Sequence, residues 1–113
     1  MSSNEEPFRI KRGDTLPPLE VTLGEPVPDE PETLEGATVR FVLRQEGASD
    51  PAVAGAAEVV DASARIVRYR WQSMDTQRAG HYLAEFEVSY PDGRIKTYPT
   101  GHRLIVVVEP DLG

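Results

Sequence analysis

The run DTQRAGHYLAEFEV, residues 75–88, decides the predicted fold because it joins a polar turn to the longest alternating segment of the chain. Apolar residues recur at every second position from Tyr82 onward, which is typical of a β-strand buried on one face. In Greek-key sandwiches, a tyrosine at the start of a late strand hydrogen-bonds upstream backbone and fixes the connection between the sheets. We therefore predict a structural corner formed by Asp75, Gly80 and Tyr82.

The other face of this strand carries His81, Leu83, Glu85 and Glu87. Glu85 and Glu87 would lie about 7 Å apart, and two carboxylates at such spacing can act as acid and base on a sugar. A solvated charged face is the simpler interpretation. Because an apolar residue stands among polar ones, the pattern indicates an exposed contact face made by Leu83, Glu85 and Glu87.

Short strand patterns with turn signals continue on both sides of this run. We predict strands in residues 37–45, 80–90 and 103–109, two more in 56–72, and a hairpin closed by YPDG at 90–93. No segment has a convincing helical pattern. The chain is therefore predicted to be all-β, an antiparallel β-sandwich of about seven or eight strands, with a small barrel as the alternative.

The N-terminal part reads differently because two adjacent prolines exclude a helix and a central strand there. We predict an extended arm over 1–18, followed by a single sandwich domain over 19–113. Residues 24–36 hold five acidic residues and three prolines, which indicates an exposed loop. A basic arm of this kind can dock on a neighbouring protein, including the acidic loop of a second copy. Its candidate contact residues are Phe8, Arg9, Lys11 and Arg12.

Composition excludes several classes of chemistry. The 113 residues contain no cysteine, so disulfides, thiolate metal sites and cysteine nucleophiles are excluded. His81 and His102 lack the spacing of a metal-binding pair, and no serine lies in a nucleophile motif. A calcium site in 24–36 would lack regular ligand spacing. We predict no catalytic residues, no metal and no cofactor, and hence a protein that is not an enzyme.

Charge and hydropathy bear on partners and location. The net charge of −7 argues against nucleic acid or an anionic membrane as the main partner. The N-terminal MSSNEEPF is polar and acidic, unlike a secretory signal, and no apolar run has the length of a membrane span. We expect a protein that is made in a cytoplasm and binds other proteins.

Aromatic residues recur at strand spacing and are expected in the core. Trp71 ends its predicted strand beside a turn, so it could instead stack on a sugar. A carbohydrate-binding β-sandwich module, using Trp71 or an exposed tyrosine, is therefore the alternative from another functional class.

Four pieces in order, FRIKRGDTLPPLEVTL, GATVRFVLR, VRYRWQSMDTQRAGHYLAEFEV and PDGRIKTYPTGHRLIVVV, span nearly the whole chain. Together they resemble the N-terminal Ig-like domain of the phage baseplate upper protein family and related short tailed-phage proteins. The resemblance implies an Ig-like fold and a structural virion protein, a tail or baseplate component or adaptor, present in multiple copies and bound to other virion proteins. A capsid decoration protein is the alternative within this class.

Overall fold

The computed structural model describes residues 6–112, which form eight strands and one short 3₁₀ turn. No helix within this range is long and apolar enough to cross a membrane. The prediction of an all-β sandwich is thus confirmed. The strands are β1 (Phe8–Lys11), β2 (Leu19–Thr22), β3 (Thr38–Gln45), β4 (Val53–Asp61), β5 (Ile66–Tyr69), β6 (Gly80–Ser89), β7 (Ile95–Tyr98) and β8 (Leu104–Glu109), and the 3₁₀ turn is Ser73–Thr76.

Two sheets share strand β4. The large sheet has the order β1-β8-β6-β3-β4, and β7 also pairs with β6. The small sheet contains the second half of β4, then β5 and β2. All pairs are antiparallel except β1 with β8, which is parallel. The large sheet is therefore mixed, whereas the sequence predicted an antiparallel one.

Strand β6 is the centre of the large sheet. Residues 82–89 of β6 pair with β3 on one edge, while its first half pairs with β8 and its second half with β7 on the other. The alternation in the sequence has its predicted effect, because every second side chain of β6 enters the core. Phe41 and Phe86, opposite each other in register, have ring centroids 5.1 Å apart. The buried side chains of β6 are Tyr82, Ala84, Phe86 and Val88.

The turn before β6 has the geometry of a tyrosine corner. The Tyr82 hydroxyl donates a hydrogen bond of 2.7 Å to the carbonyl oxygen of Arg78. The Asp75 carboxylate accepts hydrogen bonds from the Tyr69 hydroxyl and the Gln72 amide, at 2.6 and 2.9 Å. Gly80 has φ of 154°, a conformation that residues with a side chain rarely adopt. The Asp75 bonds tie the 3₁₀ turn to the end of β5, and the Tyr82 bond ties the start of β6 to the residues that follow the 3₁₀ turn.

The N-terminal segment differs from the predicted arm. Residues Phe8–Lys11 are strand β1 and pair with β8, so they belong to the sandwich. Ile10 is buried, and the Phe8 ring stacks on Trp71 at 6.0 Å. Arg9 and Arg12 form salt bridges with Glu109 and Asp111. Of the three basic residues of this segment, only Lys11 forms no salt bridge with the described residues. Residues 1–5 of the predicted arm lie outside the described residues.

Replacing Tyr82 with Phe removes the corner hydrogen bond and leaves the carbonyl of Arg78 without its donor. We expect the free energy of unfolding to fall by about 1–2 kcal/mol. Urea unfolding followed by Trp71 fluorescence measures this change, with His81→Ala as a control at the exposed neighbouring position. An unchanged unfolding midpoint would show that the corner does not stabilise the fold.

The position of β1 makes a second prediction. Ile10→Ala deletes a buried side chain, so it should lower the free energy of unfolding by about 2–5 kcal/mol. Lys11→Ala, at the exposed position next to it, should change the same quantity by less than about 0.5 kcal/mol. Equal and small effects of both substitutions on chemical denaturation would mean that the segment is a loose arm.

Candidate functional site

The predicted contact residues lie on the outer face of the large sheet, which we define as the side of β3, β6 and β8 that points away from the core. Leu83 and Glu87 are half-buried and Glu85 is exposed. The register of β3 and β8 adds neighbours that the sequence pattern did not single out. The outer face comprises Arg40, Val42 and Arg44 on β3, Leu83, Glu85 and Glu87 on β6, and Ile105 on β8.

An apolar strip runs through the outer face. Leu83 stands between Arg44 of β3 and Ile105 of β8, and Val42 lies one row further along β3, opposite Glu85. Val42, Leu83 and Ile105 are all half-buried, so the strip keeps contact with solvent. Neighbouring strands place such side chains within reach of one another. A surface with an apolar centre and charged margins has the composition of a protein–protein contact.

The face has a break beside Glu85. Strand β7 ends at Tyr98 opposite Phe86, and β8 begins at Leu104 opposite Ala84, so neither strand pairs with Glu85. A shallow depression of about 100 Å³ occupies this break, lined by Leu83, His102 and Arg103 among others. Its volume is suited to a single side chain of a bound protein and is too small for a typical organic ligand.

In the described part of the chain, neither histidine belongs to a cluster of side chains that could bind a metal ion. His81 is exposed on β6, and the exposed His102 has a ring nitrogen 3.2 Å from the carbonyl oxygen of Thr100. Within residues 6–112, no three His, Asp or Glu side chains are grouped to hold a metal ion.

A second cluster of titratable groups lies under the acidic loop. The Arg65 guanidinium donates to Glu30 at 3.2 Å, to the Tyr98 hydroxyl at 2.8 Å, and to the carbonyl oxygens of Gly24 and Pro31 at 3.1 and 3.2 Å. The Tyr98 hydroxyl donates to Glu30 at 2.7 Å, and the Tyr90 hydroxyl also donates to it. The side chains of Arg65 and Glu30 are only 7% and 3% exposed, so this is a buried ion pair.

The buried ion pair shifts the ionisation of its members. Burial alone would raise the pKa of Glu30, but hydrogen bonds from Tyr90, Tyr98, the Val27 amide and Arg65 outweigh it, and the pKa lies below its usual 4.5. Burial, together with the hydrogen bond to Glu30, raises the pKa of Tyr98 to about 12. The side chains of Arg65, Glu30, Tyr90 and Tyr98 form their hydrogen bonds with one another and with the backbone, which indicates a structural cluster.

This cluster corrects the prediction of a fully exposed loop at 24–36. Most of the loop is exposed, but the side chain of Glu30 and the whole of Leu34 are buried against the rest of the sandwich. Nothing in the local sequence distinguishes Glu30 from the four other acidic residues of the loop. Arg65 lies in a polar turn, where arginine is ordinarily solvated. The contact depends on folding, and only the three-dimensional structure shows it.

The aromatic residues are in the core. Trp71 is 4% exposed and packs edge-on against Phe41, with ring centroids 5.6 Å apart. All four tyrosines are buried as well. A sugar needs an exposed ring for stacking, so neither Trp71 nor a tyrosine offers the platform that a carbohydrate-binding module would use.

Comparisons with known proteins bear on the fold. No protein-family model matches the chain, and no curated protein sequence matches it. The crystal structure of CopC from Methylosinus trichosporium OB3b is similar over 95% of this chain and 87% of the CopC chain, with a TM-score of 0.53 and 14% sequence identity. At this identity the likeness shows the fold alone, and it agrees with the β-sandwich described above.

The buried ion pair predicts a pH dependence of stability. Because the pKa of Glu30 is lowered on folding, its contribution is present above about 4.5 and is lost as pH falls through the lower folded pKa. Glu30→Gln leaves the Arg65 charge uncompensated and should cost about 3–5 kcal/mol at neutral pH. The difference between wild type and variant should therefore narrow in acid.

Urea unfolding across this pH range measures the difference. Glu32→Gln, at an exposed position of the same loop, is the matched control and should follow the wild type. A constant difference between wild type and Glu30→Gln at every pH would show that the charge of Glu30 does not contribute.

Proposed function

We propose that this chain is a non-enzymatic structural protein of a tailed-phage virion, a tail or baseplate component or adaptor, and that it acts by binding other virion proteins through the outer face. The observation that carries the proposal is the half-exposed apolar strip of Val42, Leu83 and Ile105 within a charged surface. The ordered sequence pieces that resemble phage baseplate domains support the assignment to a virion. On this proposal the protein is made in the host cytoplasm and resides in the particle.

The strip is a suitable contact because it is small and rigid. Its residues come from three neighbouring strands, whose backbones are fixed by the ladder of the large sheet. Little conformational entropy is lost when such a surface binds, so a modest apolar area can give useful affinity. Multiple copies in a particle would add avidity to each weak contact.

The free edge at β7 is less suited to the same task. β7 is four residues long and pairs only with β6, but Lys96 folds back over it. The Lys96 ammonium donates to the Thr97 carbonyl oxygen at 3.1 Å and lies 4.6 Å from the centre of the Tyr98 ring. Short edges covered by lysine resist the addition of another strand. The outer face is therefore a better candidate than the β7 edge.

Leu83→Asp should lower the incorporation of the protein into phage particles at least about tenfold, since a carboxylate in an apolar contact costs more than roughly 1.4 kcal/mol. Tagged copies expressed during phage growth would be quantified in purified particles by immunoblotting. Val60→Asp, at an exposed position on the small sheet, is the control and should incorporate normally.

The wild-type result tests the function itself. Its presence in separated tails supports a tail or baseplate role, and its presence in tail-free capsids would make it a capsid decoration protein. Absence of the wild-type chain from particles would overturn the virion assignment. Normal incorporation of a folded Leu83→Asp variant would overturn the outer face as the contact.

A further inference from the structure

The outer face holds charges that the fold leaves without partners. Seven of the ten arginines form salt bridges within residues 6–112. Of the other three, Arg40 and Arg44 stand on the outer face, and Glu85 and Glu87 beside them also form no salt bridge in the described part of the chain. Two unpaired arginines and two unpaired glutamates thus stand together on the surface that also carries the apolar strip.

These charges are separated by strand. Both arginines lie on β3, and both glutamates lie on β6, in register rows that place Arg40 opposite Glu87 and Arg44 opposite Leu83. One side of the face is therefore positive and the other negative. The chain as a whole carries −7. The two arginines along β3 are therefore a local positive patch on an acidic protein. A surface with this charge arrangement is electrostatically complementary to a second copy of itself that is rotated by 180°.

We propose that the occupant of the outer face is a second copy of this chain, packed face to face about a two-fold axis that lies between β3 and β6, parallel to the strands. This rotation exchanges the two strands, so β3 of each copy faces β6 of the other. Arg40 then meets Glu87 of the second copy. Arg44 then faces Leu83 of the second copy, and Glu85 of that copy is one register row away, within reach of the long arginine side chain. The proposal rests on the proposed function, since it names the partner on that same surface.

The apolar strip fits the same arrangement. Val42 of one copy lies near Leu83 of the other, because the two residues occupy adjacent rows on the exchanged strands. An axis perpendicular to the strands would instead place β3 on β3 and bring arginine against arginine. Charge complementarity thus selects one of the two in-plane axes. Isologous contacts of this kind use the same patch on both copies, and aligned packing is common between sheets.

The contact should be weak in dilute solution. Stable interfaces bury roughly 1,200–2,000 Å² in total, and the outer face offers few apolar side chains. Two chains of charge −7 also repel at long range. Neighbouring positions in a particle would supply the high local concentration that favours the pair. Its measurement in solution therefore needs a high protein concentration.

A charge-reversal experiment tests the pairing. Arg40→Glu alone places two glutamates against each other in the pair, and Glu87→Arg alone places two arginines against each other. Each variant should dimerise at least about tenfold more weakly than wild type. When the two variants are mixed, both contacts become Arg–Glu again, so a heterodimer should form with nearly wild-type affinity. Sedimentation velocity at constant ionic strength measures all four samples.

The outcomes separate this inference from the proposed function. Matched thermal midpoints of the variants would establish that any loss of dimer is not a loss of fold. A wild-type chain that stays monomeric at millimolar concentration, or a mixture that fails to form the heterodimer, would overturn the homotypic contact. Incorporation of the wild-type chain into particles would leave the virion function standing in either case. A dimer absent from particles would overturn that function alone.

Discussion

Much of the structure depends on the buried guanidinium of Arg65. A charge removed from water must be neutralised and fully hydrogen-bonded, and Arg65 adopts a left-handed backbone conformation with φ of 61° to reach its site. Its hydrogen bond to Glu30 attaches the acidic loop, and its hydrogen bonds to Tyr90 and Tyr98 attach the β6–β7 hairpin. One charge therefore holds together the loop, the β4–β5 turn and the large sheet.

This arrangement also explains why the outer face can be rigid. Strand β6 is fastened at its start by the hydrogen bond from Tyr82 to Arg78, and immediately beyond its end by the hydrogen bonds of Tyr90. Between these points it pairs with β3 on one edge and, except at Glu85, with β8 or β7 on the other. The side chains that protrude from it are consequently held at fixed spacing. The core and corner position the face, although none of their residues belongs to it.

The sequence predicted those features that depend on local pattern. Alternation predicted β3 and β6 with their inner residues, and the turn signals predicted the hairpins. The pairing of β1 with β8 joins residues about a hundred positions apart, and no local pattern encodes it. The basic and proline-rich composition of the first residues therefore suggested an arm. The Arg65–Glu30 pair was missed for the same reason, since each residue looks like an ordinary exposed charge.

The contact face shows how far local pattern extends. The position of Leu83 among polar residues was sufficient to predict a contact face on β6. The arrangement of charges on that face, however, depends on the register of β6 against β3. A shift of one residue would move the arginines of β3 from the outer face into the core. The buried Phe41 and Phe86, opposite each other, prevent that shift. The core thus determines which charges stand side by side outside it, and with them the partner that the surface can accept.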